Sequence, residues 1–264
     1  MSLSFQLRRT IVNTVSFAGF AGFAGFAGWF FFVSIVSPPI LADDQIQAEK
    51  PRPELGPQTG IANVEVEEDT VWQLFSLLFV EVTEQLSVNQ DKYLSDPVAY
   101  YRFLDKTLVD RWDSKSTSRA LLGKSYYASL DAQQREALAD AVSQTLIRYA
   151  YEGLENYGGQ LFSVADVVVN ADKGRGWVQV LVASPMFPDF NLDLLIKRNL
   201  DGVWRAVDVR VKGLTYAKIK KYEYRELFEQ QGFGGLIVSL NSKNETFFSA
   251  VCEAVGDITK GAPC

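Results

Sequence analysis

Residues 177–183 read WVQVLVA, and a similar alternation of apolar with polar or larger side chains returns at 162–169, 191–197 and 203–212. Apolar residues at every second position are typical of a strand that buries one face. Turn residues such as those at 172–174 (DKG) separate the four segments by short connections. The sequence therefore predicts an antiparallel meander.

One face of this sheet is predicted to be apolar, because one set of alternating positions is aliphatic. The set comprises Val178, Val180, Val182, Leu192, Leu194, Ile196, Val207, Val209 and Val211. The opposite face is predicted to carry mixed polar and large residues, including Trp204 and Asp208. Asp208 is expected to pair with Arg205 or Arg210 in a structural rather than a catalytic role.

Helical periodicity precedes the strands. An amphipathic pattern of about 20 residues runs from Val71 to Leu86. Three further helices are predicted. The first begins at Asp96-Pro97 and reaches Trp112, and the second is short and covers Ser116–Leu122. The third is long, begins at a capping box formed by Asp131 and Gln134, and runs to about Tyr157.

The chain returns to a helical pattern after the strands, from Tyr216 to Gln231. The glycine-rich run at 232–235 matches no nucleotide-binding spacing and is interpreted as a turn between helices. From Asn241 onward the pattern is too weak to predict an element. The predicted class is thus α+β, with helices packed on a curved antiparallel sheet.

The N-terminal part has the features of an export signal. Arg8-Arg9 precedes an uncharged apolar run from Ile11 to Val36, and Ala42 is the expected last residue removed. The run is also long enough to span a bilayer, so retention as an anchor stays an alternative. The predicted organisation is a leader at 1–42, a flexible Pro-rich spacer at 43–63, a domain at 64–242 and a C-terminal tail at 243–264.

Composition excludes several function classes. The chain has no histidine, which removes His-dependent triads and His-ligated zinc. Without Arg8 and Arg9 the chain carries 24 basic and 32 acidic residues, a net charge of −8, which argues against nucleic acid as a partner. Cys252 and Cys264 are too few for a metal site; they could form a disulfide or stay as two thiols.

Several stretches together resemble the MlaC family of periplasmic phospholipid-binding proteins, also called the toluene-tolerance auxiliary family. They are LLGKSYY at 121–127, WRAVDV at 204–209, KGL at 212–214 and YEYR at 222–225. The resemblance implies a fold related to the nuclear-transport-factor-2-like cone, enclosing an apolar pocket. It also implies a carrier without cofactor or catalysis, which moves glycerophospholipids between an outer-membrane lipoprotein complex and an inner-membrane ABC transporter.

The pocket lining is predicted to combine the apolar sheet face with helix residues turned toward it. These are Tyr101, Leu104, Leu108, Leu121, Tyr127, Leu146 and Tyr149. An apolar strand face is also the ordinary composition of a solid core, so only a cavity distinguishes the two. The headgroup is expected to stay in solvent without a dedicated site.

Two other functions remain open at the level of sequence. The same fold class holds isomerases and hydratases that use a buried Asp beside a Tyr, and Asp166, Asp193 or Asp208 could act in that way. A non-catalytic envelope adaptor would instead show no cavity and a large exposed apolar patch. A basic cluster is expected either to face a partner or to be a solvated helix face: Lys212, Lys218, Lys220, Lys221 and Arg225.

Overall fold

The computed structural model describes residues 59–255 and 263–264. The described helices are α1 (Thr59–Ser95), α2 (Pro97–Thr107), α3 (Ser114–Leu122), α4 (Lys124–Ser129), α5 (Ala132–Glu155) and α6 (Tyr216–Val255), with a 3-10 turn at Val109–Arg111. The strands are β1 (Leu161–Asn170), β2 (Arg175–Ala183), β3 (Phe190–Arg198), β4 (Trp204–Val211) and β5 (Leu214–Thr215). The predicted leader and the spacer up to residue 58 lie outside the described residues. Within the described part, no helix is both long and apolar enough to cross a membrane.

The predicted meander is confirmed. The strands form one antiparallel sheet in the order β1-β2-β3-β4-β5, and the four predicted strands begin and end within two residues of their predicted limits. Irregularities in strand pairing occur between Val164 and Asp166 in β1 and at Val207 in β4. Extra residues of this kind increase the local twist, which curves the sheet around the helices packed on it.

The irregularity in β4 corrects the predicted strand faces. Ile196 pairs with Ala206, whereas Leu195 pairs with Asp208, so Val207 is the extra residue. The side chains before Val207 therefore change face relative to the predicted alternation. Ala206 and Trp204 lie on the apolar face with Val209, and both are buried in the cluster that the sheet forms with α1.

The first helix is longer than its apolar pattern predicts. α1 spans 37 residues and includes Thr59–Asn63, so the last five residues of the predicted spacer are helical. Adding residues to an existing helix costs far less than starting one, which allows it to extend past the amphipathic part. α2 ends earlier than predicted, and Trp112 lies beyond the 3-10 turn, where it forms a β-bridge to Ala206.

The capping box at α5 is confirmed. The Asp131 carboxylate accepts from the Gln134 N–H at 2.8 Å, and the Gln134 side chain accepts from the Asp131 N–H at 3.0 Å. The predicted turn in α6 is also confirmed, because Gly232 interrupts the helix with φ +68° and ψ −173°.

The last part of the chain is more regular than its sequence pattern predicts. No element was predicted from Asn241 onward, and the domain was expected to end at 242, but the residues up to Val255 continue α6. Asn244, Phe248 and Val251, spaced three and four residues apart, face α2 or α5, and Phe248 is only 6% exposed. This packing stabilises a segment whose own helical signal is weak.

Three hydrophobic clusters hold the layers together. The helical cluster joins α3, α5 and α6 around Leu121 and Leu138. The sheet cluster packs α1 on the apolar sheet face through Val71 and Phe75. The aromatic cluster joins α1, α2, α5 and the end of α6 around Tyr100.

Candidate ligand-binding cavity

An apolar cavity of about 270 Å³ lies between the sheet and the helices. Its walls come from α1, the end of α2 with the 3-10 turn, the start of α3, α5, the first residue of α6, and strands β1, β3 and β4. The lining residues are Phe75, Leu78, Phe79, Leu108, Val109, Arg111, Trp112, Ser114, Ser143, Leu146, Ile147, Tyr149, Phe162, Leu192, Leu194, Ala206, Val209 and Tyr216.

The cavity lies where the three clusters meet. Leu146 and Tyr216 belong to the helical cluster, Phe75 and Leu194 to the sheet cluster, and Ile147 to the aromatic cluster. Each cluster is packed within itself, and the space between them is left unfilled. Residues that are half-buried on the inner sheet face, such as Val209, border this space.

Six of the predicted lining residues line this cavity. They are Leu108, Leu146, Tyr149, Leu192, Leu194 and Val209. Two come from β3, one from β4, two from α5 and one from the end of α2. The helix and sheet contributions to the prediction thus converge on one space.

The other predicted lining residues lie elsewhere. They are Tyr101, Leu104, Leu121, Tyr127, Val178, Val180, Val182, Ile196, Val207 and Val211. On the sheet, Val178, Val180 and Ile196 have no exposed surface because α1 covers them directly. Leu121 and Tyr127 pack in or against the helical cluster, and Leu104 is buried in the aromatic cluster. Alternation alone does not distinguish these covered positions from those left open.

Several lining residues were not predicted. Phe75 and Leu78 come from the amphipathic stripe of α1, which was recognised as a helix face but not assigned to the pocket, and Phe79 lies beside that stripe. Phe162 lies on β1, and Ala206 reaches the cavity because of the extra residue Val207. The spacing of α1 could have identified its residues, whereas nothing in the local sequence signals the shift in β4.

The polar groups on the wall are few. Tyr149 and Tyr216 meet edge to face with ring centroids 5.9 Å apart, and burial raises the pKa of both phenols. The other polar side chains on the wall are those of Arg111, Trp112, Ser114 and Ser143. Among the described lining residues none is Asp or Glu, so the wall offers no carboxylate base.

The acidic residues considered for catalysis have other positions. Asp208 is 5% exposed and accepts from the backbone N–H groups of Val209 at 2.9 Å and Ala217 at 3.1 Å. The predicted pairing of Asp208 with Arg205 or Arg210 is wrong. Arg210 instead forms an ion pair with Asp193 at 2.8 Å, and Arg205 forms one with Asp201 at 3.1 Å. Burial raises the pKa of Asp208. Its role in the described structure is to fix the start of α6 against β4.

A second, more polar cavity of about 470 Å³ lies among α2, α5 and the end of α6. Tyr101, Gln144 and Asn244 line it together with Pro263 and Cys264. Cys252 and Cys264 form a disulfide with a Cα–Cα distance of 5.7 Å, which holds the C-terminal residues there. Its lining of amides and one carboxylate suits an apolar chain less well than the cavity against the sheet.

The predicted basic cluster is partly engaged within the protein. Arg225 donates from Nε to the Leu122 carbonyl at 3.1 Å, at the end of α3. Lys220 lies 3.4 Å from Glu223, and burial lowers its pKa. These contacts favour a structural role for part of the cluster.

The fold and the cavity define an α+β protein in which an open antiparallel sheet and its helices enclose an apolar space. The MlaC protein family model matches residues 78–242. The chain therefore belongs to the MlaC family.

The chain is also similar to two other proteins. Toluene tolerance protein ttg2D from Pseudomonas putida is 21% identical over 152 residues, which cover 58% of this chain and 70% of that protein. The phospholipid-binding protein from Ralstonia solanacearum, solved in complex with a phospholipid, has a TM-score of 0.54 and 20% identity. The match covers 65% of this chain and 98% of the Ralstonia chain, and it supports the α+β fold.

Proposed function

We propose that this protein binds a glycerophospholipid by its acyl chains in the cavity between the sheet and the helices, and carries it without catalysis. The observation that carries the proposal is the apolar wall, in which Phe75, Leu146, Leu194 and Val209 surround a space that the packed clusters leave open. The phospholipid complex of the Ralstonia protein supports the same ligand class.

The physical basis is the shielding of hydrocarbon from water. Each CH₂ removed from water contributes roughly 0.8 kcal/mol, so a few buried methylenes already give useful affinity. If a methylene occupies about the volume of a water molecule, about 30 Å³, then the cavity of about 270 Å³ holds roughly nine of them. A lipid with two long chains therefore requires the wall to move outward.

The route of the lipid is part of the proposal. The protein works in the periplasm, its leader is removed after Ala42, and it exchanges lipid with an inner-membrane ABC transporter complex and an outer-membrane lipoprotein complex. The export signal in the sequence and membership of the MlaC family support this route. N-terminal sequencing of the exported protein should find Asp43 first, whereas a retained leader would indicate a tethered form.

The ligand is tested on protein purified from the periplasm. Extraction with organic solvent followed by mass spectrometry should recover phospholipid, and lipid-loaded protein should deliver it to labelled acceptor vesicles. Repeated absence of co-purified phospholipid, together with no transfer between vesicles, would refute the proposal.

A further inference from the structure

Arg111 is the one residue with a formal charge among the described residues that line the apolar cavity. It ends the 3-10 turn between α2 and α3 and is partly exposed, so its side chain lies between the cavity and solvent. We propose that Arg111 binds the phosphate of the lipid whose chains occupy the cavity. This inference rests on the proposed function and adds a headgroup site to it.

The guanidinium of Arg111 has no acidic partner in the described part of the chain. No carboxylate there lies within 4.0 Å of it, although Arg198, Arg205 and Arg210 all form ion pairs. The nearby Asp113 is engaged elsewhere, since it accepts from the Ser116 N–H at 2.9 Å and from the Ser116 hydroxyl at 2.6 Å. A cation beside an apolar wall, without a protein anion, is suited to an anion that the ligand brings.

The backbone that carries Arg111 is held in place from both sides. The Arg111 N–H donates to the Leu108 carbonyl at 3.0 Å, and the Asp113 N–H donates to the Ala206 carbonyl of β4 at 2.8 Å. The indole of Trp112 donates to the Thr117 hydroxyl at 2.8 Å. The guanidinium thus extends from a fixed point on the wall, which lowers the entropic cost of holding a headgroup.

Phosphate is the chemistry that this side chain recognises best. A guanidinium presents a planar set of N–H donors that can bind two oxygens of one phosphate. The hydroxyl of Ser114, which also lines the cavity, is a further donor close in sequence. The carboxylate of a free fatty acid offers similar oxygens on an acyl chain, so the experiment must separate the two sources.

The test compares three lipids on four full-length, lipid-free proteins. Wild type, Arg111→Gln, Arg111→Lys and the control Arg102→Gln are incubated with vesicles of phosphatidylcholine doped with phosphatidylglycerol, diacylglycerol or oleic acid. Arg102 is exposed on α2 and does not line the cavity. Native mass spectrometry counts each bound lipid, and urea denaturation verifies that the variants fold.

Arg111→Gln should lower phosphatidylglycerol loading roughly three- to tenfold relative to diacylglycerol, as expected for a charged contact at a partly exposed site. Arg111→Lys should restore part of the loading, and Arg102→Gln should behave as wild type. Equal phosphatidylglycerol loading by all four proteins would overturn this inference and leave the proposed function intact. Arg111-dependent loading of oleic acid without loading of phosphatidylglycerol would overturn both the phosphate assignment and the proposed function.

Discussion

Filling part of the cavity from the sheet should weaken lipid loading without unfolding the protein. Val209 lines the cavity, is only partly buried, and lies in the cross-strand row formed by Val178, Leu194 and Val209. Replacing Val209 with Phe adds four carbon atoms of an aromatic ring, which together occupy roughly 50 Å³ at the packing density of a protein interior. About a fifth of the cavity of about 270 Å³ would then be lost.

The expected magnitudes follow from the burial of hydrocarbon. Losing room for about two methylenes, at roughly 0.8 kcal/mol each, lowers lipid affinity by about 1.6 kcal/mol, or about fifteenfold. Relaxation of the wall reduces this effect, so we expect a loss of affinity of about three- to fifteenfold for Val209→Phe. The free energy of unfolding should change by no more than about 1 kcal/mol, because new apolar burial offsets the cost of repacking.

Val178→Phe is the matched control. Val178 lies in the same row but has no exposed surface, because α1 covers it. Phe at this position should overpack the core and cost about 1–3 kcal/mol in the free energy of unfolding. Urea denaturation of the lipid-free proteins gives the stabilities, and uptake of fluorescent phosphatidylglycerol from vesicles gives the loading. Wild-type loading by Val209→Phe, or destabilisation equal to that of Val178→Phe, would refute the assignment of the cavity.

Three further changes test the framework of the fold. Burial raises the pKa of Asp208, so the folded state holds this proton more tightly than the unfolded chain. The contribution of Asp208 to the free energy of unfolding should therefore fall as pH rises from about 3.9 through the raised pKa, and wild type should lose stability relative to Asp208→Asn in urea denaturations across that range. Gly232→Ala should lower the free energy of unfolding by about 1–3 kcal/mol, because a backbone with φ +68° and ψ −173° is open essentially to glycine alone. The control Gly153→Ala inside α5 should raise the free energy of unfolding by about 0.5–1 kcal/mol. The double variant Cys252→Ser/Cys264→Ser should lose no more than about 3 kcal/mol of its free energy of unfolding. Hydrogen exchange at the end of α6 should become faster, and lipid loading should not change.

Local chemistry predicted much of the fold. The capping box at Asp131 and the alternation along β2 and β3 specify their elements through contacts close in sequence, and both are confirmed. The end of α6 was not predicted, because its stability depends on Phe248 packing against residues distant in sequence, such as Tyr101. The sheet face predicted for Trp204 was wrong for a different reason. An extra residue, Val207, reverses the alternation, and no local signal marks it.

The cavity was harder to predict than the core, because its wall consists of apolar side chains that no other side chain covers. Val178 and Val209 have the same side chain and occupy the same row of the sheet, yet one is covered by α1 and the other is left open. Apolar periodicity specifies each of the three clusters, and the space at their junction depends on how far each cluster extends over the sheet. The proposed lipid carrier must retain this open junction, since filling it would add stability at the expense of the binding site.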